Sequence, residues 1–550
     1  MQQIDIIRTY SQKRCLVVDD VPEARTALKR ILIDFGASTI DTAGSAEEAI
    51  DLCERHQYDI VLADHNLGHG KSGQQLLEEL RYHRLLKNSA VFMIISAENA
   101  SQLVLHTLEY QPDDYVNKPV NRDSLRPRLD YTMLRSEALA SVKSALDEGN
   151  QTKAIDACKA LVARKGKYYL ETCKMLGELL CEQHRYQEAE KFYLNLQGDR
   201  ARLWAQLGLA KSLFGLGQLD SAEQILATII HSNNLCVDAH DLLAQIYRAK
   251  NKPQLAQRSL GEAVKISPHS VQRQRNMGMI SSENNDLPSA VHAYRQALKL
   301  SRHSCHEQPE DYINLTQILT RLSMGNSMEL IRKLTAEALD TLKLLNKKYS
   351  RHPVINTYGK LLEADVHYVL NNSDKSAELA LEAKQVQSEI KTEALLNTSM
   401  ELCIGCAKAF MARGQYDEGE HLLQAIAKIN TDQATAVQLD KLLREPLTGE
   451  GMRYATKLNK QGIGHYQAGQ IEKAIRSFES VLKELPNHVG LNLNLIQALI
   501  GKNKECAIND KEFAMIQSCF KRIGDIGDSS SHSERFKYLL RQFEKIRPAS

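Results

Sequence analysis

The chain has 550 residues, 43% hydrophobic and 25% charged, with 70 Lys and Arg against 68 Asp and Glu and a net charge of +2. That is a soluble composition, long for one compact core, and its near-neutral charge argues against a nucleic-acid partner, which needs a dense basic stripe. No stretch approaches the roughly 20 apolar residues that span a bilayer. The opening MQQIDIIRTYSQKR lacks the apolar core of a secretion signal, and 11 scattered cysteines are no disulfide framework, so a cytoplasmic protein without membrane insertion is expected.

In chain order, CLVVDD (Cys15 to Asp20) is a short apolar run ending in two carboxylates, and YDIVLAD (Tyr58 to Asp64) is a second run ending in one. VFMIISA (Val91 to Ala97) and DDYVNKPV (Asp113 to Val120) follow. Helical patterns at Glu23 to Phe35, Ala46 to Arg55 and Gly73 to Arg84 separate the runs, which therefore read as buried parallel strands in a βα alternation. The strand ends carry Asp19, Asp20, Asp64, Ser96 and Lys118. Because the carboxyl ends of strands line the ligand crevice of an open α/β sheet, these five groups converge.

Three crowded carboxylates repel one another unless a cation compensates, and Mg²⁺ suits one or two carboxylates with waters and phosphate oxygens. Lys118 offers a point charge for phosphoryl oxygens and Ser96 a hydroxyl. The stretch from Arg14 to Leu129 resembles the receiver domain of bacterial two-component response regulators, a flavodoxin-like, doubly wound, five-stranded parallel α/β sheet. The resemblance implies that Asp19, Asp20 and Asp64 hold Mg²⁺ together with the Asn66 backbone carbonyl. It implies that Asp64 is phosphorylated by a sensor histidine kinase or phosphotransfer protein, that Ser96 and Lys118 bind the phosphoryl group, that the bond before Pro119 is cis and that Tyr115 is a rotameric switch. Asn66 and Glu98 match the chemotaxis-type receivers, implying a short-lived phosphorylated state, and receivers of this family often form homodimers.

Between Asp64 and Gly73 the loop HNLGHGKS is one residue longer than the common receiver loop and lacks its proline. Its GHGKS looks like the tail of a phosphate-binding P-loop, but the pattern needs glycine where His65 stands, so nucleotide binding is not expected. Beyond the receiver, the segment from Asn121 to Asn150 has no Gly/Ser/Pro-rich linker and, Pro127 aside, no breaker up to Leu146, which predicts a near-continuous helix into the next domain.

From there the pattern changes. Ala210, Ala222 and Ile229 are followed 34 residues later by Ala244, Ala256 and Ala263, and again by Gly278, Ala290 and Ala297. Small residues at these places let paired helices approach, while Leu226, Tyr247, Leu260 and Tyr294 fill the gaps. Pro268 stops the second helix of its repeat. The period resembles the tetratricopeptide repeat, an all-α superhelical solenoid. Domains are therefore expected at 1–130 and 131–550, with the clearest repeats at 170–302, 400–433 and 455–488. Weaker copies run through Val142, Ala154 and Cys158; Gly177, Ala189 and Tyr193; Ala407, Gly419 and Leu423; and Gly462, Gly469, Ala474, Phe478 and Pro486. Region 309–390 is degenerate, with Tyr368, Ala377 and Leu381 as candidate repeat positions.

Such arrays build a concave protein-binding surface. Frame positions two, five, nine and twelve nominate Trp204, Lys211, Phe214, Arg248 and Arg275 as partner-binding residues, although for Trp204 and Phe214 the simpler reading is that they cover the core between repeats. Cys403 and Cys406 form a CxxC inside a repeat helix with no second metal-ligand pair, so they read as small core residues. GDIGDSSSHSE (Gly524 to Glu534) and the final helix are either a cap or a loose tail. No nucleophile-base set stands out and no helix-turn-helix follows the receiver. The expectation is a non-enzymatic response regulator whose phosphorylation controls an unknown protein partner in the repeat groove. The alternative is a phosphotransfer intermediate or phosphate sink localised by a constitutive scaffold.

Overall fold

The computed structural model describes residues 10–68, 70–96, 112–196, 203–302, 304–429, 435–436, 439, 449–484, 489–503, 509–523 and 533–545. Glu98, Pro486 and 524–532 lie outside them.

Strands β1 (Arg14–Val18), β2 (Thr39–Ala43), β3 (Ile60–Asp64), β4 (Val91–Ser96) and β5 (Asp114–Asn117) form one parallel sheet in the order β2-β1-β3-β4-β5. Every residue of β3 and β4 is buried, which is why these strands read as unbroken apolar runs. β2, with sequence TIDTA, is an edge strand buried only at Ala43 and carries no such run. Alternation splits the core in two: Leu16 and Val18 pack on one face with Leu76, Leu77 and Leu80, Cys15 and Val17 on the other with Leu125 and Leu129.

Helices α1 (Pro22–Asp34), α2 (Ala46–Arg55) and α3 (Gly73–Tyr82) begin on local signals. Proline opens α1, the Ser45 side chain accepts the Glu48 N–H at α2, and Ser72 and Gln75 form a capping box at α3.

The expected continuous helix after the sheet is divided. α4 (Arg122–Ala138) accommodates Pro127, but the chain turns at buried Leu139 before α5 (Ala140–Asp147). Neither glycine nor proline marks the break. What holds it is packing against the sheet domain: Ser136 Oγ donates to the Ser89 carbonyl at 2.7 Å, and Asp147 accepts from Asn88 and Ser89.

Helix pairs follow: α6 (Gln151–Arg164), α7 (Tyr169–Glu182), α8 (Tyr186–Asn195), α9 (Leu203–Gly215), α10 (Leu219–Ser232), α11 (Val237–Ala249), α12 (Pro253–Ile266), α13 (Val271–Glu283), α14 (Leu287–Ser301) and α15 (Pro309–Ser323). The small residues of the frame lie in the joints, with Ala210, Ala222, Ala256, Ala263, Ala290 and Ala297 fully buried. A Cβ on Gly177 would come within 2.1 Å of Tyr193 Oη, and one on Gly278 within 2.8 Å of the Tyr294 ring. Each glycine thus makes room for the tyrosine of the paired helix.

By compactness the chain divides into Met1–Leu322 and Ser323–Ser550, so the sheet domain and the helices that follow it up to Leu322 form one compact unit. In the second unit, Pro353–Val369 and Ser373–Ser388 pair, but the sequence register there is wrong. Tyr368 and Leu381 are 68% and 57% exposed, and Ala377 is exposed too; Leu361, Ala364, Leu379, Ala380 and Ala383 make the core instead. Cys403 and Cys406 are buried in the helix Met400–Ala412, and burial pushes the Cys403 thiol up to about 11. The last helix, Ser533–Phe543, buries Leu539 against a core containing Phe478 and Ile516, so it caps the array.

Candidate functional site

Asp64 ends β3, Ser96 ends β4, and Asp19 and Asp20 directly follow β1. Parallel register brings these ends level, with Ala63 beside Val18, Asp64 beside Ile95 and Ser96 beside Asn117. One carboxylate oxygen from each of Asp19, Asp20 and Asp64 lies within 4.8 Å of the others. Asp19 and Asp64 are buried and Asp20 is exposed, so the cluster opens to solvent on one side.

Lys118 reaches across from the end of β5. Its Nζ donates to Asp64 Oδ2 at 2.7 Å and to Asp19 Oδ2 at 3.2 Å. The Lys118–Pro119 bond is cis, and the Lys118 N–H donates to the Ser96 carbonyl at 2.7 Å. Asp19 Oδ1 accepts the Val21 N–H at 2.9 Å, leaving both of its oxygens engaged.

Burial pushes the Asp64 carboxyl above its ordinary value, against the hydrogen bond and charge of Lys118, and the neighbouring Asp19 adds to the rise. Burial alone would lower the Lys118 ammonium, but hydrogen bonds and charge from Asp64 and Asp19 hold it above its usual range. The Lys118 ammonium thus pairs with two of the three carboxylates, Asp64 and Asp19. Such an oxygen-rich, under-compensated donor set fits a hard divalent cation.

Two glycines, Gly73 and the loop's Gly68, complete the geometry. A Cβ on Gly73 would lie 2.1 Å from the Asp64 carbonyl oxygen, so only glycine lets α3 start against the end of β3. Gly68, at φ +74°, folds the loop over Asp20, where a Cβ would meet Oδ2 at 2.9 Å. A glycine at the first position of a helix, where better helix formers are available, was the readable signal for the former. Asn66 is exposed, and its side-chain oxygen accepts the Gly68 N–H at 3.2 Å. Lys71, the lysine of the P-loop look-alike, pairs at 3.1 Å with Glu79 of α3, the helix it precedes. Tyr115 lies half-buried in β5, packed on the core face that includes Leu76 and Leu77.

The nominated groove residues separate. Lys211 and Arg248 are exposed, Arg248 pairing with Glu283 at 2.7 Å. Phe214 and Arg248 line one cavity of about 520 Å³ with Gln245, Gln272 and Met279. Trp204 lies half-buried, edge-on to Tyr193 at 6.3 Å. Arg275 is held at 2.7 Å by fully buried Asp311, a joint between α13 and α15, so it is a strut.

The chain matches the family description "Response regulator receiver domain" over residues 15–130 and "Tetratricopeptide repeat" over 195–246 and 237–270. It is 28% identical to "Chemotaxis protein CheY-3" of Vibrio cholerae serotype O1 over 117 residues, 21% of this chain and 88% of that protein. It is 29% identical to "Cell cycle response regulator CtrA" of Brucella ovis over 150 residues, 27% of this chain and 62% of that protein. Among solved structures, a tetratricopeptide repeat protein from Parabacteroides merdae aligns at 13% identity and a TM-score of 0.29, covering 46% of this chain and 92% of that one. Among the described residues no helix is long and apolar enough to cross a membrane.

Proposed function

Residues 15–130 are a response-regulator receiver domain joined to tetratricopeptide repeats, and from that premise we propose that phosphorylation of Asp64 controls a protein-protein interaction made by the array. The observation that carries this reading is the convergence of Asp19, Asp20, Asp64 and Lys118 at the carboxyl ends of the strands. The donor is a phosphohistidine of a sensor kinase or phosphotransfer protein. An Asp64 carboxylate oxygen forms the new P–O bond, the P–N bond breaks, and the imidazole nitrogen leaves with the electron pair.

Asp19, Asp20, Asp64 and the Asn66 carbonyl would hold Mg²⁺, which when bound supplies positive charge and a template for the phosphoryl oxygens. Lys118, freed from Asp64 as that carboxylate becomes an acyl phosphate, pairs with a phosphoryl oxygen. Ser96 donates its hydroxyl to the same group, and Tyr115 reports the change on the β5 face. The reading includes a cytoplasmic setting and no enzymatic output beyond the receiver's own chemistry.

The test is intact mass after treatment with a small-molecule phosphodonor and Mg²⁺. One added phosphoryl group, lost in Asp64→Asn and without Mg²⁺, supports the reading. No added mass, under conditions that label a control receiver, sinks it. Uptake of phosphate with partner affinity unchanged would favour a phosphate sink.

A further inference from the structure

The receiver turns α3 and the segment after it toward the repeats. Arg81, Arg84 and Lys87 stand on one wall of a cavity of about 610 Å³, and Asp147, Glu178 and Glu182 stand on the other. The receiver wall is basic and the repeat wall acidic. At one edge Asp147 Oδ1 accepts from the Asn88 N–H at 2.6 Å and from Asn88 Nδ2 at 2.9 Å, while Oδ2 accepts from Ser89 Oγ at 3.3 Å. Farther along α3, Glu78 Oε2 meets His306 Nε2 at 3.4 Å, and the Tyr82 ring lies edge-on to His306 at 6.5 Å.

Of the repeat-side residues that face the receiver, Glu178 falls on a groove position of the 34-residue frame, whereas His306 lies in the loop before α15. Glu178 follows Gly177 as Lys211 follows Ala210, at place nine. The receiver thus faces α7 across the cavity and meets the loop before α15 directly. Arg84 lies at φ +56°, a left-handed conformation that a non-glycine residue adopts at a cost, at the turn where α3 passes into this wall.

We propose that the first occupant of this groove is the chain's own receiver, seated through α3 and Arg81 to Ser89, so that an external protein must displace it. The inference rests on reading the array as a protein-binding surface and is independent of whether Asp64 is phosphorylated. It also names a route between the two: the N-terminus of α3 abuts Asp64, with the Gly73 N–H donating to the His65 carbonyl at 2.9 Å. At 10 residues α3 is about 15 Å long, enough to join that site to Glu78 and Tyr82.

Hydrogen-deuterium exchange on the full chain tests it. His306→Glu sets like charges against Glu78 and should speed exchange about fivefold or more in peptides covering 83–90 and 304–308. Adding Glu78→Lys to that variant should restore exchange to within about twofold of wild type. Tyr82→Ala removes a ring that is 55% exposed and should loosen the same two segments with the β-sheet still protected. Wild-type exchange in both segments for His306→Glu and Tyr82→Ala would overturn the proposal. Beryllium fluoride with Mg²⁺, a phosphoryl mimic, separates the readings: if His306→Glu loosens the segments and the mimic does not, receiver docking is upheld and phosphorylation control falls.

Discussion

The two halves of the first unit use their residues in opposite ways. In the receiver, Asp19, Asp20, Asp64 and Lys118 come from three strand ends far apart in the chain, the carboxylates within 4.8 Å of one another and Lys118 hydrogen-bonded to two of them, so the site depends on a few side chains. In the array, Gly177, Ala210, Ala244 and Gly278 recur at nearly equal steps and make no chemistry at all; they set how closely helices approach. A single change should therefore silence the receiver without unfolding it, whereas a single change in the array should act through stability or a local contact.

Substitutions can break that contrast. Lys118→Met removes the one ammonium that touches Asp64 and Asp19 among the described residues. It should cut the rate of phosphoryl uptake about 10²–10³-fold, the usual loss for a charge-stabilising donor, as followed by intact mass over time. Arg275→Ala should act on the array instead: it strands buried Asp311, should cost about 3 kcal/mol by denaturant unfolding, and should leave phosphoryl uptake unchanged. Gly177→Val forces a side chain against Tyr193 and should cost about 1–3 kcal/mol in the same assay. Arg248→Ala breaks an ion pair whose partners are 47% and 39% exposed and should shift stability by no more than about 1 kcal/mol. A larger loss for Arg248→Ala would mean that the groove edge carries structural load, and the contrast between groove residue and strut would fail.

Much of this was legible along the chain because its determinants are local. Apolar runs ending in Asp64 and Ser96 mark strands buried on both faces, and the paired small residues at 34-residue steps mark helices that must touch. β2 was harder because an edge strand with one buried residue carries no run. Tyr368, Ala377 and Leu381 were misplaced because a helix period shifted by one or two residues still looks amphipathic, and only packing fixes which face is inside.

The sequence by itself determined that Asp19, Asp20, Asp64 and Lys118 would meet, the repeat period and the core status of Cys403 and Cys406, since each depends on residue type at fixed spacing. Tertiary structure alone decided that the chain turns at Leu139, that Arg275 is a strut on Asp311, that Gly73 must be glycine, and that Glu78 and Tyr82 meet His306. Each of these joins residues remote in sequence or depends on a distance of a few ångströms between backbones, and neither quantity leaves a periodic trace in the chain.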